Sequence, residues 1–405
     1  MNVTIVPKRL HGAVTPPPSK SQAHRAVIGA ALANGKSKVY PLNSSEDIEA
    51  TLACMEAMGC TYDRGTGEIT GIQTPPHELP QLNCGESGST LRFLIPVALA
   101  LCGGGRFYGR GRLMARPQGP YFRLFDEKKI TYRQGGDELE VQGTLLAGTY
   151  RLPGDVSSQF VTGLLFALPL IQGDSEIILE SELQSKDYVE MTLKTLQAFG
   201  IRIERTGMER FVIPGGQTYH PATIQVEADY SQAAFFAVAK ALGSELTIDG
   251  LNPDSAQGDR VIFPILDVLS GPGNQSVDVG QCPDLVPAIS LFAALREGEI
   301  TRIENALRLR DKESDRLRAV TDALNCLGAK IEEGPDYLQI YGVNALKGGS
   351  ADSQNDHRIA MMLAIAATRA QGPVTVLDAQ SVRKSYPDFW QVYESLGGDI
   401  KRSDQ

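Results

Sequence analysis

The sequence has little that would suit a nucleic-acid-binding, secreted or membrane-spanning protein. Its 405 residues carry a net charge of −9, which disfavours general binding to nucleic acid. The six cysteines show no C-x-x-C spacing, so we expect free, mostly buried thiols in a reducing compartment. Apolar runs such as residues 160–171 fall short of the roughly 20 residues that span a bilayer, and the N-terminus lacks a signal-peptide core. We therefore expect a cytoplasmic protein without a membrane segment.

Residues typical of metal sites and of covalent catalysis are also scarce. The five histidines show no metal-ligand spacing, and no serine or cysteine lies in a known nucleophile elbow. Cations are many and dispersed, whereas the carboxylates near them are few. This inventory favours a transfer between two small anionic molecules, with positioning and electrostatics supplying most of the catalysis.

Six copies of one pattern organise the chain. Each copy has a polar head, a helix of small residues, a stop that includes glycine and a β-rich segment. The copies begin at Pro16, Gly85, Gly154, Ala228, Pro283 and Asn355. A second helix and two short strands follow most of them, which gives a repeat with the order β-α-β-α-β-β.

Two repeats depart from this order. The fourth lacks a hairpin, and the sixth lacks its last strand. We expect Asn2 to Val6 to supply that strand, whereas Gly12 to Pro16 is expected to open the first repeat. We predict an α/β fold with three repeats per domain. Residues 1–18 and 228–405 would form domain I, and residues 19–227 would form domain II.

Every polar head precedes a helix, so the heads expose backbone N–H groups and positive dipole ends. If they converge, they form a cleft that favours anions. The simpler alternative is that their Ser, Asp and Asn residues only cap helices. Capping does not account for the cations that accompany them.

The first half of the chain offers three candidate binding segments. Lys20, Ser21 and Arg25 place two cations and a hydroxyl near a helix start, a group that suits a phosphate or carboxylate. The turn at residues 85–92 would let backbone amides approach an anion. Residues 157–159, Ser-Ser-Gln, suit a hydroxylated substrate and a phosphate, although simple capping explains them equally well.

The second half carries the densest charge. Lys312 and Arg316 are four apart and would share a helix face with Glu313 nearby, either in a site or on a solvated, salt-bridged surface. Residues 355–358 precede a wholly apolar helix, so we expect these polar groups to face a site. Asp284 could be a helix cap or a general base.

Together these motifs resemble the 5-enolpyruvylshikimate-3-phosphate synthase family of enolpyruvyl transferases. The resemblance covers nearly the whole chain, and the segments that carry it are PSKSQAHRA, GESGSTLR, ARPQGP, DVSSQF, SKDY, DYSQAAF, CPDLVPA, DKESDR, NDHR and RKSYPD. It implies a two-domain fold whose domains close on substrate, with the active site in the cleft between them. It implies neither a metal nor an organic cofactor. We also expect a monomer that binds neither nucleic acid nor membrane.

The resemblance implies a transferase of the shikimate pathway, which leads through chorismate to the aromatic amino acids. The 5-hydroxyl of shikimate 3-phosphate would add to C2 of phosphoenolpyruvate, and the tetrahedral intermediate would lose phosphate. Asp284 would act as the base on the 5-hydroxyl, and Glu313 would give and take the proton at C3. Lys20 would contact both substrates.

The remaining roles also follow from the resemblance. The residues expected to hold shikimate 3-phosphate, besides Lys20 and Asp284, are Ser21, Arg25, Ser157, Ser158, Gln159, Ser185, Arg308 and Lys312. Those expected to hold phosphoenolpyruvate, besides Lys20, are Gly88, Arg116, Gln159, Arg316, Arg358 and Lys384.

The chain departs from relatives at two positions: many relatives carry Asn where it has Glu86, and some carry Asn where it has Arg308. Gly88 matches members that are sensitive to glyphosate. Two alternatives remain at this point. The first is UDP-N-acetylglucosamine enolpyruvyl transferase, whose loop cysteine has no counterpart in residues 110–120, and the second is an inactive anion-binding scaffold.

Overall fold

The computed structural model describes residues 1–403. Helices α1 to α12 of this range are, in chain order, Lys20–Leu32, Glu46–Ala57, Gly88–Cys102, Gly119–Lys128, Ser158–Ala167, Lys186–Ala198, Tyr230–Ala241, Ile262–Leu269, Val286–Ala294, Arg316–Cys326, His357–Ala366 and Phe389–Ser395. Short 3-10 helices span Leu113–Ala115, Leu168–Leu170, Gly258–Val261, Pro283–Leu285, Leu307–Asp311, Ala367–Arg369 and Ala379–Lys384.

The strands of the same range are short, as expected for repeated small sheets. Strands β1 to β22 are Asn2–Val6, His11–Val14, Lys36–Tyr40, Thr61–Asp63, Glu68–Thr70, Gln81–Asn83, Gly104–Tyr108, Thr131–Gly135, Glu138–Gln142, Thr149–Leu152, Ser175–Leu179, Glu204–Thr206, Arg210–Ile213, Thr223–Gln225, Glu245–Ile248, Gln275–Asp278, Ile300–Glu304, Lys330–Glu333, Leu338–Tyr341, Gly349–Asp352, Val374–Leu377 and Asp399–Ser403.

The four-stranded sheets all follow one pattern. Their orders are β14-β3-β5-β4, β6-β7-β9-β8, β10-β11-β13-β12, β16-β17-β19-β18 and β20-β21-β1-β22. In each sheet the first two strands are parallel and the other neighbours are antiparallel. The remaining sheet contains only β15 and β2. The fourth repeat has therefore lost its hairpin, as predicted.

The N-terminal strand completes the sixth repeat. β1 lies between β21 and β22 and is antiparallel to both, with Val3 opposite Val376 on one side and Arg402 on the other. The prediction that Asn2 to Val6 supplies the missing strand is confirmed.

The first strand of the first repeat was assigned wrongly. β3 takes β14 as its parallel neighbour, with Ile224 opposite Val39. β2, which the sequence had placed there, pairs with β15 of the fourth repeat instead, with Leu246 opposite Gly12. Two parallel neighbours are joined by a long crossover connection, so the local sequence pattern of a strand does not show which strand lies beside it.

The described chain forms two compact lobes. Lobe A contains residues 1–17 and those from Glu227 onward, and lobe B contains residues 18–226. Each lobe has its own apolar core. Within residues 1–403 the six cysteines form no disulfide and four of them are buried, which agrees with the expectation of buried thiols. Among residues 1–403, no helix has the length and hydropathy needed to cross a bilayer.

Helices of small and apolar residues fill the two cores. In lobe A every residue of α9 and of α11 is buried. In lobe B, α5 packs on α3 through Gly163, where an added Cβ would lie 2.3 Å from the hydroxyl of Tyr121 and 2.5 Å from the carbonyl oxygen of Arg92. Only glycine allows this approach, and it brings the N-terminal ends of the two helices close together.

The polar heads do cap helices. The side chains of Ser19, Ser87, Ser157, Asp229 and Asp356 each accept a hydrogen bond from an N–H in the first turn of the helix that follows. Capping thus explains these serines and aspartates, but not the charged residues beside them.

Candidate active site

Charged side chains of lobe A converge where three helices begin. Asp284 lies in the 3-10 helix that precedes α9, Arg316 is the first residue of α10, and Arg358 is the second residue of α11. Asp356 is the N-cap of α11 and is fully buried. Helix starts therefore bring these groups of lobe A together.

The guanidinium of Arg316 is surrounded by three carboxylates. Its Nε donates to Oδ2 of Asp356 at 2.8 Å, Nη1 donates to Oδ1 of Asp284 at 2.9 Å, and Nη2 donates to Oε2 of Glu313 at 2.7 Å. Burial alone would lower the pKa of Arg316, but these carboxylates, Asp356 foremost, raise it above its usual range. Arg316 is therefore a fixed cation with its donor directions set.

Asp284 is held by cations from two sides. Its Oδ1 accepts from Arg316 and lies 3.5 Å from Nζ of Lys312, while its Oδ2 accepts from Nη2 of Arg358 at 2.9 Å. Burial raises the pKa of the Asp284 carboxyl, but Arg358, Lys312 and Arg316 together lower it well below its usual range, against a smaller opposing effect of Glu313. Asp284 is thus an anion at neutral pH. It accepts from cations and does not cap a helix.

Lys312 and Arg316 do not share a helix face, contrary to the sequence prediction. Lys312 is the extended residue that follows the 3-10 helix Leu307–Asp311, and α10 begins only at Arg316. The two cations still meet at Asp284. The pKa of Lys312 is lowered to about 8, chiefly by burial and to a smaller extent by Arg316 and Arg308, while Asp284 and Glu313 act in the opposite direction.

Two hydrogen bonds through the hydroxyl of Ser231 connect Arg358 to Asp229. Ser231 donates to the carboxylate of Asp229 at 2.6 Å, and the Ser231 hydroxyl accepts from Nη2 of Arg358 at 3.1 Å. The same Asp229 oxygen caps α7. The hydrogen bonds thus hold the guanidinium of Arg358 from the side of α7.

Two further predicted residues lie at the edge of this cluster. Nζ of Lys384 donates to the carbonyl oxygen of Asn355, which is next to Asp356 in the chain. Nη2 of Arg308 donates to the carbonyl oxygen of Gly280 at 2.6 Å. Arg308 is close enough to lower the pKa of Lys312, so it belongs to the same neighbourhood.

In lobe B, Lys20 forms a sheltered ion pair. Lys20 is the first residue of α1, and its Nζ lies 2.7 Å from Oδ2 of Asp47 in the first turn of α2. The two side chains are 13% and 10% exposed. The pair thus presents a cation at a helix start with little solvent around it.

Arg25 is buried and ties α1 to α6. Its Nε donates to Thr192 at 2.8 Å, Nη1 to the carbonyl oxygen of Ser21 at 2.7 Å, and Nη2 to that of Tyr188 at 2.9 Å. Burial lowers its pKa to about 10, with Tyr188 acting in the opposite direction. Three of its donors are thus directed at protein atoms, and a substrate contact by Arg25 stays a prediction.

Gln159 is locked in one orientation. Its Oε1 accepts from Nη1 of Arg92 at 2.9 Å, and its Nε2 donates to Ser89 at 3.0 Å. Arg92 also donates to the carbonyl oxygen of Pro117 at 2.8 Å, directly beside Arg116. Arg92 therefore ties the start of α5 to the segment that carries Arg116.

The other predicted residues of lobe B also lie at helix starts. Gly88 opens α3 and touches the guanidinium of Arg116. Ser157 caps α5, and the next residue, Ser158, is buried. Ser185 precedes α6 in the left-handed conformation, with a φ of 56°.

Sequence reasoning assigned no role to several residues that shape the site. They are Asp356, which orients Arg316, Asp47, which pairs with Lys20, Arg92, which orients Gln159, and Ser231, which braces Arg358. Asp356, Arg92 and Ser231 belong to quoted motifs, so the signal was present. Asp47 looked like an ordinary residue of a helix start, and its partner, Lys20, is distant in the sequence.

Comparison with solved structures defines the class of protein. The structure of EPSP synthase from Acinetobacter baumannii superposes on this chain with a TM-score of 0.78 and a sequence identity of 25%. The match covers 99% of this chain and 100% of that chain. The enolpyruvyl transferase NikO from Streptomyces tendae is 20% identical with the same TM-score, covering 99% of this chain and 98% of that chain. The two-domain α/β fold is that of the enolpyruvyl transferases.

Sequence comparison narrows the class to one family. The family profile of EPSP synthase (3-phosphoshikimate 1-carboxyvinyltransferase) matches residues 5–393. The 3-phosphoshikimate 1-carboxyvinyltransferase of Clostridium beijerinckii is 44% identical, over 98% of each chain. The chain belongs to the EPSP synthase family.

Proposed function

We propose that this protein transfers the carboxyvinyl group of phosphoenolpyruvate to the 5-hydroxyl of shikimate 3-phosphate and releases phosphate. This is a transferase step of the shikimate pathway to chorismate and the aromatic amino acids. Family membership supports it. The structural observation that carries it is the meeting of Arg316 and Arg358 on Asp284, with Glu313 beside them. Two fixed cations next to two carboxylates suit acid–base chemistry on a bound anion.

The addition step uses both carboxylates. Asp284 accepts the proton of the 5-hydroxyl as its oxygen bonds to C2 of phosphoenolpyruvate, and the protonated form of Glu313 donates a proton to C3, which becomes a methyl group. In the elimination step the methyl group returns a proton to Glu313, the bond from C2 to the phosphate oxygen breaks, and the proton held by Asp284 passes to the leaving phosphate. Phosphate leaves, and the C2–C3 double bond forms again in the product.

The remaining site residues hold the substrates in this proposal. Their charges and hydroxyls are of the kinds that recognise carboxylate, phosphate and ring hydroxyl groups. Phosphoenolpyruvate is held by Lys20, Gly88, Arg116, Gln159, Arg316, Arg358 and Lys384. Shikimate 3-phosphate is held by Lys20, Ser21, Arg25, Ser157, Ser158, Gln159, Ser185, Asp284, Arg308 and Lys312.

We further propose that the enzyme acts as a cytoplasmic monomer, needs no added metal or organic cofactor and binds neither nucleic acid nor membrane. Its domains, residues 1–18 with 228–405 and residues 19–227, would close on the substrates, because both substrates are anions and their proposed cations lie in both. Small-angle scattering with and without shikimate 3-phosphate plus glyphosate measures closure. Identical curves would count against it.

Phosphate release tests the proposed reaction. The purified protein should release phosphate only when shikimate 3-phosphate and phosphoenolpyruvate are both present. The Asp284→Asn and Glu313→Gln variants should lose this activity, whereas Asp315→Asn, which removes a nearby half-buried carboxylate, should retain it. Release with UDP-N-acetylglucosamine as acceptor, and none with shikimate 3-phosphate, would refute the proposal.

A further inference from the structure

We propose that Asp284 is also an internal competitor of phosphoenolpyruvate: its carboxylate occupies Arg316 and Arg358 until the anionic groups of the substrate take them over. This inference rests on the proposed function, which assigns both arginines to phosphoenolpyruvate. It adds a second role to Asp284, because the same residue would then set both the affinity for the substrate and the moment at which the base becomes active.

The contacts of Asp284 place it where a substrate anion would bind. One oxygen accepts from Arg316 at 2.9 Å and the other accepts from Arg358 at 2.9 Å. A carboxylate or phosphate uses the same two-oxygen geometry toward guanidinium groups. Asp284 therefore occupies the donor directions that an incoming anion needs.

The charges of the side chains that are ion-paired directly to Asp284 or Arg316 balance without substrate. Three cations, Lys312, Arg316 and Arg358, face three carboxylates. The carboxylates are Asp284, Glu313 and Asp356. An anion that enters such a balanced, half-buried cluster gains little binding free energy unless a protein carboxylate releases the cations with which it is paired.

Asp284 is better suited to give up its partners than Asp356. Asp356 is fully buried and also accepts from the backbone N–H of Arg358 and from the hydroxyl of Ser314, so its release would undo a helix cap. The Asp284 side chain is 17% exposed, and Asp284 is the N-cap residue neither of α9 nor of the 3-10 helix before it. Its ties to Arg316 and Arg358 can exchange without unwinding backbone structure.

The exchange would couple binding to chemistry. Burial favours the protonated form of Asp284, and the cations oppose it. When Arg316 and Arg358 turn to the substrate, they hold the Asp284 charge less strongly, so the carboxylate becomes a stronger base. Asp284 is then weakly basic in the free enzyme and competent only when phosphoenolpyruvate is in place.

Calorimetric binding of phosphoenolpyruvate to the Asp284→Asn variant tests the competition. The titration is made in the presence of 5-deoxyshikimate 3-phosphate, which lacks the reacting hydroxyl and so prevents turnover in every variant. An amide of nearly the same size carries no charge to hold the arginines. We expect Asp284→Asn to bind phosphoenolpyruvate about tenfold more tightly than the unmodified enzyme, although it is catalytically inactive.

The Asp315→Asn variant is the matched control. It removes one carboxylate charge next to Arg316 in the chain, but Asp315 pairs with Arg310 at 2.9 Å instead, and asparagine still caps α10. Its affinity should stay within about twofold of the unmodified enzyme, a change too small to reflect loss of a direct contact. Equal or weaker binding by Asp284→Asn, or equal tightening in both variants, would overturn the proposal.

Two further measurements keep the result decisive. If Asp284→Asn does not fold, as judged by circular dichroism, Asp284→Ala replaces it with the same expectation. If neither folds, the pH dependence of kcat is compared with that of kcat/KM on the acidic side, using the unmodified enzyme. The charged groups that face Asp284 are Arg316, Arg358, Lys312 and Glu313. As the pH is lowered, kcat should begin to fall at a higher pH than kcat/KM for phosphoenolpyruvate does. If both fall at the same pH, the proposal is overturned. Phosphate release by the same preparation tests the proposed function separately.

Discussion

The guanidinium of Arg116 lies against the α-carbon of Gly88. A Cβ added to Gly88 would come within 2.5 Å of Nη1 and 2.8 Å of Cζ of Arg116. Gly88 opens α3, and Arg116 follows the 3-10 helix Leu113–Ala115, so the contact joins two separate segments of lobe B. The missing side chain of Gly88 therefore determines where this guanidinium can lie.

Replacement of Gly88 by alanine should displace Arg116. We expect the KM for phosphoenolpyruvate to rise about tenfold, because a methyl group at this separation forces the guanidinium away. Inhibition by glyphosate, which we predict to compete with phosphoenolpyruvate, should weaken as well. Steady-state kinetics measure both effects. Gly119→Ala is the control, because an added Cβ there meets nothing within 4 Å, and an equal rise in KM in both variants would contradict the account.

Replacement of Lys20 by alanine should abolish most turnover. The sheltered cation is proposed to stabilise charge on both substrates, and loss of such a group costs about 10²-fold or more in kcat. Lys36→Ala provides the comparison, since Lys36 forms an ion pair of the same 2.7 Å length with Glu68 on the exposed surface. That variant should keep normal activity. A Lys20→Ala enzyme with normal kcat would remove Lys20 from the mechanism.

The activity should depend on pH through Lys312. With its pKa lowered to about 8, mainly by burial, Lys312 is charged below that pH and becomes neutral above it. Because the charged form is proposed to hold shikimate 3-phosphate, kcat/KM for this substrate should fall as the pH rises through about 8. In Lys312→Arg the charge persists, so the alkaline limb should move to higher pH. An unchanged limb in that variant would assign the titration to another group.

Asp356 should contribute to the stability of the fold. The Asp356→Asn change leaves Arg316 buried with one charged partner fewer, so we expect the free energy of unfolding to fall by about 3 kcal/mol. Urea denaturation measures it. Asp315→Asn, at a half-buried position where asparagine can still cap α10, should change stability by less than about 1 kcal/mol. Equal stability of the two variants would show that the buried ion pair is not a stabilising contact.

Local signals in the sequence predicted much of this fold. Hydrophobic pattern and glycine stops located the repeats, and the missing strand of the sixth repeat led correctly to Asn2 to Val6. These local signals did not predict that β14 pairs with β3 of the first repeat while β2 pairs with β15 of the fourth. All the first strands of the repeats have similar short patterns, and only the three-dimensional path of the chain decides which strand each one pairs with.

The sequence identified the charged residues of the site but not the residues that hold them in place. Lys312, Glu313 and Arg316 were recognised as a dense charged segment, yet the helix was expected to include Lys312, because charge spacing alone does not mark the start of a helix. Asp47 was missed because its partner, Lys20, lies 27 positions away. Long-range pairs of this kind follow from tertiary packing. The domain division and the substrate contacts stay predictions.

The reaction carried out in deuterium oxide tests the central claim most directly. Addition followed by elimination turns C3 of phosphoenolpyruvate into a methyl group and back, so solvent deuterium should appear in the vinyl group of the product. We predict a carboxyvinyl ether of shikimate 3-phosphate whose vinyl carbon carries deuterium by mass spectrometry, with one phosphate released per product. Phosphate release without this product, or a product whose vinyl group contains no deuterium, would contradict the account.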